Sequence, residues 1–426
     1  MIFLSFILCM LGFIVLSRIA QPKINSINNI TINVYFYYGV LSLVGAFIIA
    51  SHHESYDLVS NFIEQDVKEN ALLVISANFF VYCISVCFFL FVFKCANGNL
   101  LQAFKKQSVT IPKNEKNLDL FFVILLMLCI FALLYLLFID GTAPLALLIR
   151  GGDLSQVYDA RIESFDKNIL AFLLKKVLTE ASIITALYFF LRPGLLRKTV
   201  ACVCCLSYGF LQTEKAPFVY FILALIFLIT LKNKKNIGLT KVLLIFSGLV
   251  SILVLLYSFL YQQSSFADSL NNVINRVFIQ QISGVFLSIQ YYGSHAPFDM
   301  GYNLFPRIYS LLGFSDNKII AEQLAEHYLH NLYVTGSVKN INGLYIMDAW
   351  ASGGWIGTIL VTIVLAGYSA FIYSYFLHKR KEPLVLAFYS YFAIYNFSFI
   401  TNAGVALFSP FALLFLLMFS FLYKRK

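Results

Sequence analysis

The chain has 426 residues, of which 60% are hydrophobic and 12% charged. A soluble protein of this length carries about a quarter charged residues, so a water-soluble globular fold is excluded. The net charge of +10 does not point to nucleic acid, because the basic residues gather in short segments between apolar runs, where they set membrane topology.

Apolar runs of about 20 residues match ~30 Å of hydrocarbon, and a backbone crossing lipid must satisfy its own hydrogen bonds as helix. The expected fold is therefore all-α: a polytopic integral membrane protein, with residues 1–426 forming a single integral membrane domain. The first run, Ile2–Ser17, has no positive region ahead of it and no small-residue cleavage site before Arg18. It reads as a first membrane helix rather than a removable signal peptide. The next expected spans are Ile32–Ala50, Ala71–Phe93, Leu118–Phe138, Leu170–Leu191, Thr199–Leu211, Pro217–Leu231 and Val242–Leu260. Trp355–Leu377, Pro383–Ile400 and Val405–Tyr423 bring the total to about eleven. The sixth and seventh are short, and either tilt or dip together around Gln212–Pro217. Between the eighth and ninth lies the one long polar stretch, Tyr261–Gly353.

Alternation of eleven helices puts Phe93–Asn117, Arg192–Lys198, Lys232–Lys241, His378–Glu382 and the Lys424–Lys426 tail on one side, all rich in Lys and Arg. By the positive-inside rule that side is cytoplasmic. Ser51–Asn70 holds five acids against Lys68, and Tyr261–Gly353 holds six acids against four basic residues. These are expected outside, with the N-terminus out and the C-terminus in. All eight cysteines fall in apolar segments or at their inner ends, so no structural disulfide is expected.

Basic residues in the outer segments are not needed for topology and are candidates for function. They are Arg150, Arg161, Lys167, Arg276, Arg307, Lys318 and Lys339, with Lys215 in the turn Gln212–Pro217. Lys175 and Lys176 are expected to snorkel to the interface, leaving Glu180 paired with Lys176 at i, i+4. Lys215 either pairs with Glu214 or holds an anionic lipid headgroup.

Within the long stretch, Ala267–Tyr292 reads as one helix, with Asp268 as N-cap and Arg276 among its polar exceptions. Arg276 suits a salt bridge to a loop acid such as Asp268, or a fork onto the oxygens of a diphosphate. Ile319–His330 reads as a second amphipathic helix with Glu322, Glu326 and His330 on one face. A solvated face is its default; His295, His327 and His330 are candidates for proton transfer. No nucleotide or dinucleotide motif occurs, so a reaction on the outer side needs a substrate that is already activated, and no cofactor or metal is expected.

Three segments, taken together, resemble the Wzy-type O-antigen polymerases, which join oligosaccharide repeat units. They are Gly151–Arg161; Asn275–Gln281 followed by Gln290-Tyr291-Tyr292; and Asn342–Gly357, which leads back into the membrane. Lys215 stands where relatives often carry a basic residue in a short helix–helix turn. The resemblance implies a GT-C-like membrane glycosyltransferase of the bacterial inner membrane. Its substrate would be an undecaprenyl-diphosphate-linked oligosaccharide, and its partners membrane lipid and a chain-length regulator protein. It implies Arg276, Arg161 and Lys215 on the diphosphate, with Arg307 and Arg150 in second rank. Tyr291, Tyr292 and Tyr302 would stack on sugars, and the base would be His295, His327, His330 or Asp348. Asp348 equally suits a cap of the ninth helix. The rival functions are an O-antigen ligase, differing in its lipid A core acceptor, and a lipid-linked glycan flippase.

Overall fold

The computed structural model describes residues 1–20, 42–51, 59–94, 99–110, 115–140, 169–211, 216–233, 244, 247–248, 251, 270–271, 273–302, 304, 319–334, 340–401 and 410–424. Among them every regular element is helical and none is a strand. Three helices are long and apolar enough to cross a membrane: Gln65–Val92, Glu115–Ile139 and Tyr345–Leu377. Shorter apolar helices cover Ile2–Val15, Tyr220–Lys232, Pro383–Ile394 and Leu413–Tyr423. The expected eighth span, Val242–Leu260, lies almost wholly outside the described residues.

Helix ends depart from the apolar boundaries for local reasons. The third expected span begins at Gln65 rather than Ala71, with Asp66 in its first turn, where a carboxylate meets the positive end of the helix dipole. The fifth is interrupted by a π-helical turn at Val177–Ala181, which carries Glu180. Lys176 Nζ lies 3.7 Å from Glu180 Oε1, as the i, i+4 spacing predicts. Lys175, by contrast, is buried rather than snorkelling, at 2% exposed.

The chain divides into two compact units. The first comprises Met1–Leu101, Asn236–Tyr375 and Tyr395–Ser409. Here the N-terminal helix packs along Gln65–Val92, with the Phe13 and Phe79 rings 5.5 Å apart. The N-terminal ammonium lies 3.5 Å from Glu69, and Gln290 bonds the backbone at Phe62 and Glu64. The N-terminal ammonium, Phe62, Glu64 and Gln290 therefore lie at one end of the Gln65–Val92 helix. Deeper in this unit, Tyr345 Oη and Thr362 Oγ1 are 2.7 Å apart, and Thr362 Oγ1 is 2.9 Å from Asn78 Oδ1. This buried polar chain gives groups that lipid cannot solvate their partners.

The second unit comprises Gln102–Lys235, Phe376–Ile394 and Pro410–Lys426. Thr110 donates its N–H to the Lys381 carbonyl at 2.9 Å, and Lys381 Nζ donates to the Lys105 carbonyl at 3.1 Å. The Arg380 N–H reaches the Tyr423 hydroxyl at 3.3 Å. Two of the basic loops and the chain's C-terminal helix thus share one end of this unit. Arg192, 6% exposed, is held by Glu115 and by Asp119 at 3.1 Å, and Tyr188 donates to the same Asp119 at 2.7 Å. A buried guanidinium needs that set of acceptors to offset its desolvation.

Candidate functional site

The long polar stretch is more broken than its apolar periodicity suggests. The expected Ala267–Tyr292 helix is not continuous. A π-helical turn covers Asn275–Ile279, and the α-helix restarts at Ser283–Ser294 after Ile282 leaves helical geometry at φ −115 and ψ −19. The restart has an external acceptor for one of its first N–H groups: Gly284 donates to the Asn342 carbonyl at 3.1 Å. A Cβ at Gly284 would collide with that same oxygen, so only glycine allows the approach. Ser288 Oγ then donates to the Met347 carbonyl at 3.0 Å. These two bonds join the stretch between the two pieces of the second quoted segment to the third.

Gln290, facing the other way, accepts from Glu64 N–H through Oε1 and donates from Nε2 to the Phe62 carbonyl, each at 3.1 Å. One amide satisfies two backbone groups of the neighbouring segment and sets the helix against it. Tyr292 is buried, and its hydroxyl donates to Gln323 Oε1 at 2.7 Å. It ties Ser283–Ser294 to the Ile320–Tyr328 helix and is a strut, not the open stacking surface expected of it.

Between those two helices lies an open cleft of about 400 Å³ lined by Tyr291, Gln323, Glu326, His327 and His330. The rings of Tyr291 and His327 are 5.0 Å apart at 62°. His295 closes the group, 5.4 Å from His327 and 6.4 Å from Tyr291 between ring centroids. Partial burial, then the neighbouring His295, lower the His327 pKa, so its ring is held towards the neutral state. Tyr328 packs edge-on against His327 at 4.7 Å. Burial, then the charges of Glu64 and Tyr291, push the Tyr328 hydroxyl up to about 12, which keeps it protonated.

The expected Ile319–His330 helix also stops early. Ile320–Tyr328 ends at Leu329 (φ −123, ψ 37), and a short second helix, His330–Val334, follows. The i, i+4, i+8 run of Glu322, Glu326 and His330 is therefore not one helical face, yet the turn at Leu329 still leaves Glu326 and His330 in the same cleft. All three candidate histidines gather around Tyr291; Tyr292 lies against Tyr291 with its hydroxyl turned to Gln323. Tyr302 is buried beside the turn begun by Asp299, to whose carbonyl its N–H donates at 3.2 Å.

Asp348 is buried inside the Tyr345–Leu377 helix and so does not cap its start. That helix begins at Tyr345 rather than Trp355 and is broken at Gly353 and Gly354, the latter at φ 57. Asp299 donates its N–H to the Ala351 carbonyl at 2.8 Å, satisfying one carbonyl freed by the break. Both tryptophans of the chain sit here, with Trp350 6.1 Å from Trp355 and 6.3 Å from Phe298.

Of the cationic candidates, Arg276 lies on the Asn275–Ile279 π-helical turn, and the structure describes its backbone only. Arg150, Arg161, Lys215 and Arg307 lie outside the described residues. Sequence reasoning missed Gln323 and the bridging role of Gln290. The visible signal for Gln323 was its place one turn before Glu326 and His327 on a short amphipathic helix; Gln290 stands in the second quoted segment, but nothing in the sequence marks its bridging role.

Chemically, the cleft offers an aromatic face, a carboxylate, an amide and two imidazoles, with a third imidazole beside it. That set suits hydroxyl recognition and proton transfer. Comparison of the chain with models of known families, with curated proteins and with solved structures finds no match.

Proposed function

We propose that the chain is a membrane glycosyltransferase that polymerises oligosaccharide repeat units. It would transfer the growing glycan from undecaprenyl diphosphate to the non-reducing end of an incoming lipid-linked unit, at the outer face of a bacterial inner membrane. The observation that carries this reading is the pair of bonds, Gly284–Asn342 and Ser288–Met347, that ties the Ser283–Ser294 helix to the third quoted segment, with a polar, aromatic cleft at the far end of the same helix. A long polar stretch between membrane helices is folded there into a site.

In this reading the diphosphate leaving group supplies the activation, so no nucleotide is consumed. Arg276, with Arg161 and Lys215, neutralises the charge that grows on the departing diphosphate, a contribution worth several kcal/mol when the cations are preorganised. Arg150 and Arg307 stand behind them. His295, His327 or His330 accepts the proton of the attacking sugar hydroxyl; Asp348, buried within its helix, is the less accessible candidate. About eleven spans, a GT-C-like architecture, an outer N-terminus, an inner C-terminus and a chain-length regulator partner belong to the same proposal.

The test is the ladder of surface lipopolysaccharide in a deletion strain. Core bearing a single repeat unit supports the polymerase. Bare core, with long glycan accumulating on its lipid carrier, makes the chain a ligase instead. Glycan of unchanged length trapped on the inner leaflet makes it a flippase. In the complemented strain, Arg276→Ala restoring normal polymer length removes the clamp, and Arg276→Lys at full activity removes its bidentate form.

A further inference from the structure

Topology asks only that basic loops lie on one side of a membrane. In the second unit they are also bonded to one another. Residues 105–113, 378–382 and 423–426 each carry three Lys or Arg, against Glu382 as the one acid in these three segments. Lys381 donates its N–H to Gln107 Oε1 at 3.2 Å, its carbonyl accepts the Thr110 N–H at 2.9 Å, and its Nζ donates to the Lys105 carbonyl at 3.1 Å. In the same loop the Arg380 N–H donates to the Tyr423 hydroxyl at 3.3 Å, and Lys379 Nζ lies 5.1 Å from the centre of the Tyr423 ring. Five cationic residues from two distant parts of the chain, Lys105, Lys106, Lys379, Arg380 and Lys381, are thereby gathered at one end of this unit, beside the last turn of the C-terminal helix.

We propose that this end of the second unit is a binding site for an anionic phospholipid, whose headgroup phosphate is held by Lys106, Lys379 and Arg380. The site is independent of the polymerase reading.

Three features argue for it. The first is how the cations are divided. Lys105 and Lys381 are buried, at 5% and 1% exposed. The Lys381 ammonium is committed to the Lys105 carbonyl and lies 6.0 Å from the Phe104 ring, so this pair forms the base of the site. Lys106 and Arg380 are exposed and Lys379 is half-buried, which leaves them to meet a ligand. The guanidinium forks onto phosphate oxygens, and the ammonium groups add point charges. The second feature is like-charge crowding, which is unfavourable unless an anion offsets it. Burial, then the neighbouring Lys381, lower the Lys105 pKa to about 8, a sign of the same crowding. The third is depth. The helix Pro410–Lys424 exposes Leu413, Leu414, Leu417 and Phe421 along its length, a surface that belongs in hydrocarbon. Tyrosine settles at the membrane–water boundary, and Tyr423 closes the last turn of that helix. The bonds from Tyr423 to the 378–382 loop therefore put the cations at the level of lipid headgroups, where a cluster of this size recognises anionic lipid. A phosphate free in water gains nothing from that placement; a phosphate tethered to acyl chains does.

The experiment uses the purified full-length protein in detergent, titrated with dioleoyl phosphatidylglycerol or dioleoyl phosphatidylcholine at constant ionic strength. Bound lipid is counted by native mass spectrometry. Retention of phosphatidylglycerol in preference to phosphatidylcholine is the expected result, and inorganic phosphate at the same concentration should leave that preference intact. Each charge removed weakens binding about fivefold, so Lys106→Gln, Lys379→Gln and Arg380→Gln together weaken it about a hundredfold. Lys379→Arg with Arg380→Lys keeps both charges and stays within about threefold of wild type. Arg197→Gln with Lys198→Gln removes two other basic residues of the same unit and leaves binding unchanged. Equal retention of the two lipids overturns the proposal, as does wild-type affinity in a monodisperse triple variant. An equal loss in the Arg197 and Lys198 variant also overturns it, because the attraction is then one of overall charge. Displacement of the lipid by inorganic phosphate makes the site one for a free anion, and the lipid proposal fails.

Discussion

Gly284 donates its backbone N–H to the carbonyl oxygen of Asn342, 3.1 Å away, and has no room for a side chain against that oxygen. The bond joins the helix that carries Tyr291 to the segment that re-enters the membrane. Gly284→Val is expected to cost about 1–3 kcal/mol, the range for overpacking a close contact, read as a fall in melting temperature in detergent. Asn342→Ala keeps the accepting carbonyl and should melt close to wild type. A large loss in Asn342→Ala would mean that its side chain, not its backbone, forms the junction.

Gln290 serves two backbone groups at once, the Glu64 N–H and the Phe62 carbonyl. Gln290→Leu keeps the volume and removes both bonds. Each part-buried group left without its partner costs on the order of 1–3 kcal/mol at most. Hydrogen exchange at the Glu64 amide should accelerate in Gln290→Leu while amides in the middle of the Gln65–Val92 helix hold their protection. Unchanged exchange at Glu64 would show that the amide does not hold this junction.

His327 carries a lowered pKa because of partial burial and the adjacent His295. The unfolded chain therefore binds this proton more readily than the folded one. The His327 contribution to stability is whole above the unfolded value of about 6.5, and is lost as the pH falls through that value towards the lower folded one. The groups that share its surroundings are His295, Tyr291, Tyr328, Glu326 and His330. His327→Asn should reduce the drop in melting temperature between about pH 8 and about pH 5. An identical drop in the variant would assign the pH dependence to other groups.

The helix break at Gly353–Gly354 brings the only two tryptophans together, and Trp355, Ile356, Leu360 and Val364 are exposed along the apolar helix that follows. Indoles settle at the membrane–water interface. In reconstituted vesicles, lipids brominated near the headgroup should quench the tryptophan emission more than lipids brominated near the chain end. Trp350→Phe, which leaves Trp355 alone, should keep most of that quenching because Trp350 is only 6% exposed. Stronger quenching by aqueous iodide than by either lipid would place the break outside the bilayer interface.

Much of the fold was legible before the structure. Apolar run length located helices at Ile2, Ala216, Pro383 and within Gln65–Val92, because transfer of apolar side chains into lipid is a sum over local residues. The Lys176–Glu180 pair followed from helical spacing alone. The starts of helices were read less well: the ninth span was expected from Trp355, after the polar stretch, whereas the helix begins at Tyr345 and reaches the Gly353-Gly354 break from both sides. Leu329 has no breaker residue beside it, and at Ile282 the one local signal is the Ser283-Gly284 pair that follows.

The site divides along the same line. Composition, charge and spacing determined that this chain is helical and apolar, that its polar residues concentrate between Tyr261 and Gly353, and that His295, His327 and His330 are chemically able to move protons. Only tertiary structure decided that His327 and His330 meet Tyr291 and Glu326 in one cleft with His295 beside it, that Tyr292 is a buried strut, and that Asp348 lies inside a helix. The reason is the range of the forces involved. Hydrophobic periodicity and capping act within a few turns and are written in neighbouring residues. Convergence depends on where two helices stop and which backbone groups, such as Gly284 and Asn342, bind each other across the fold.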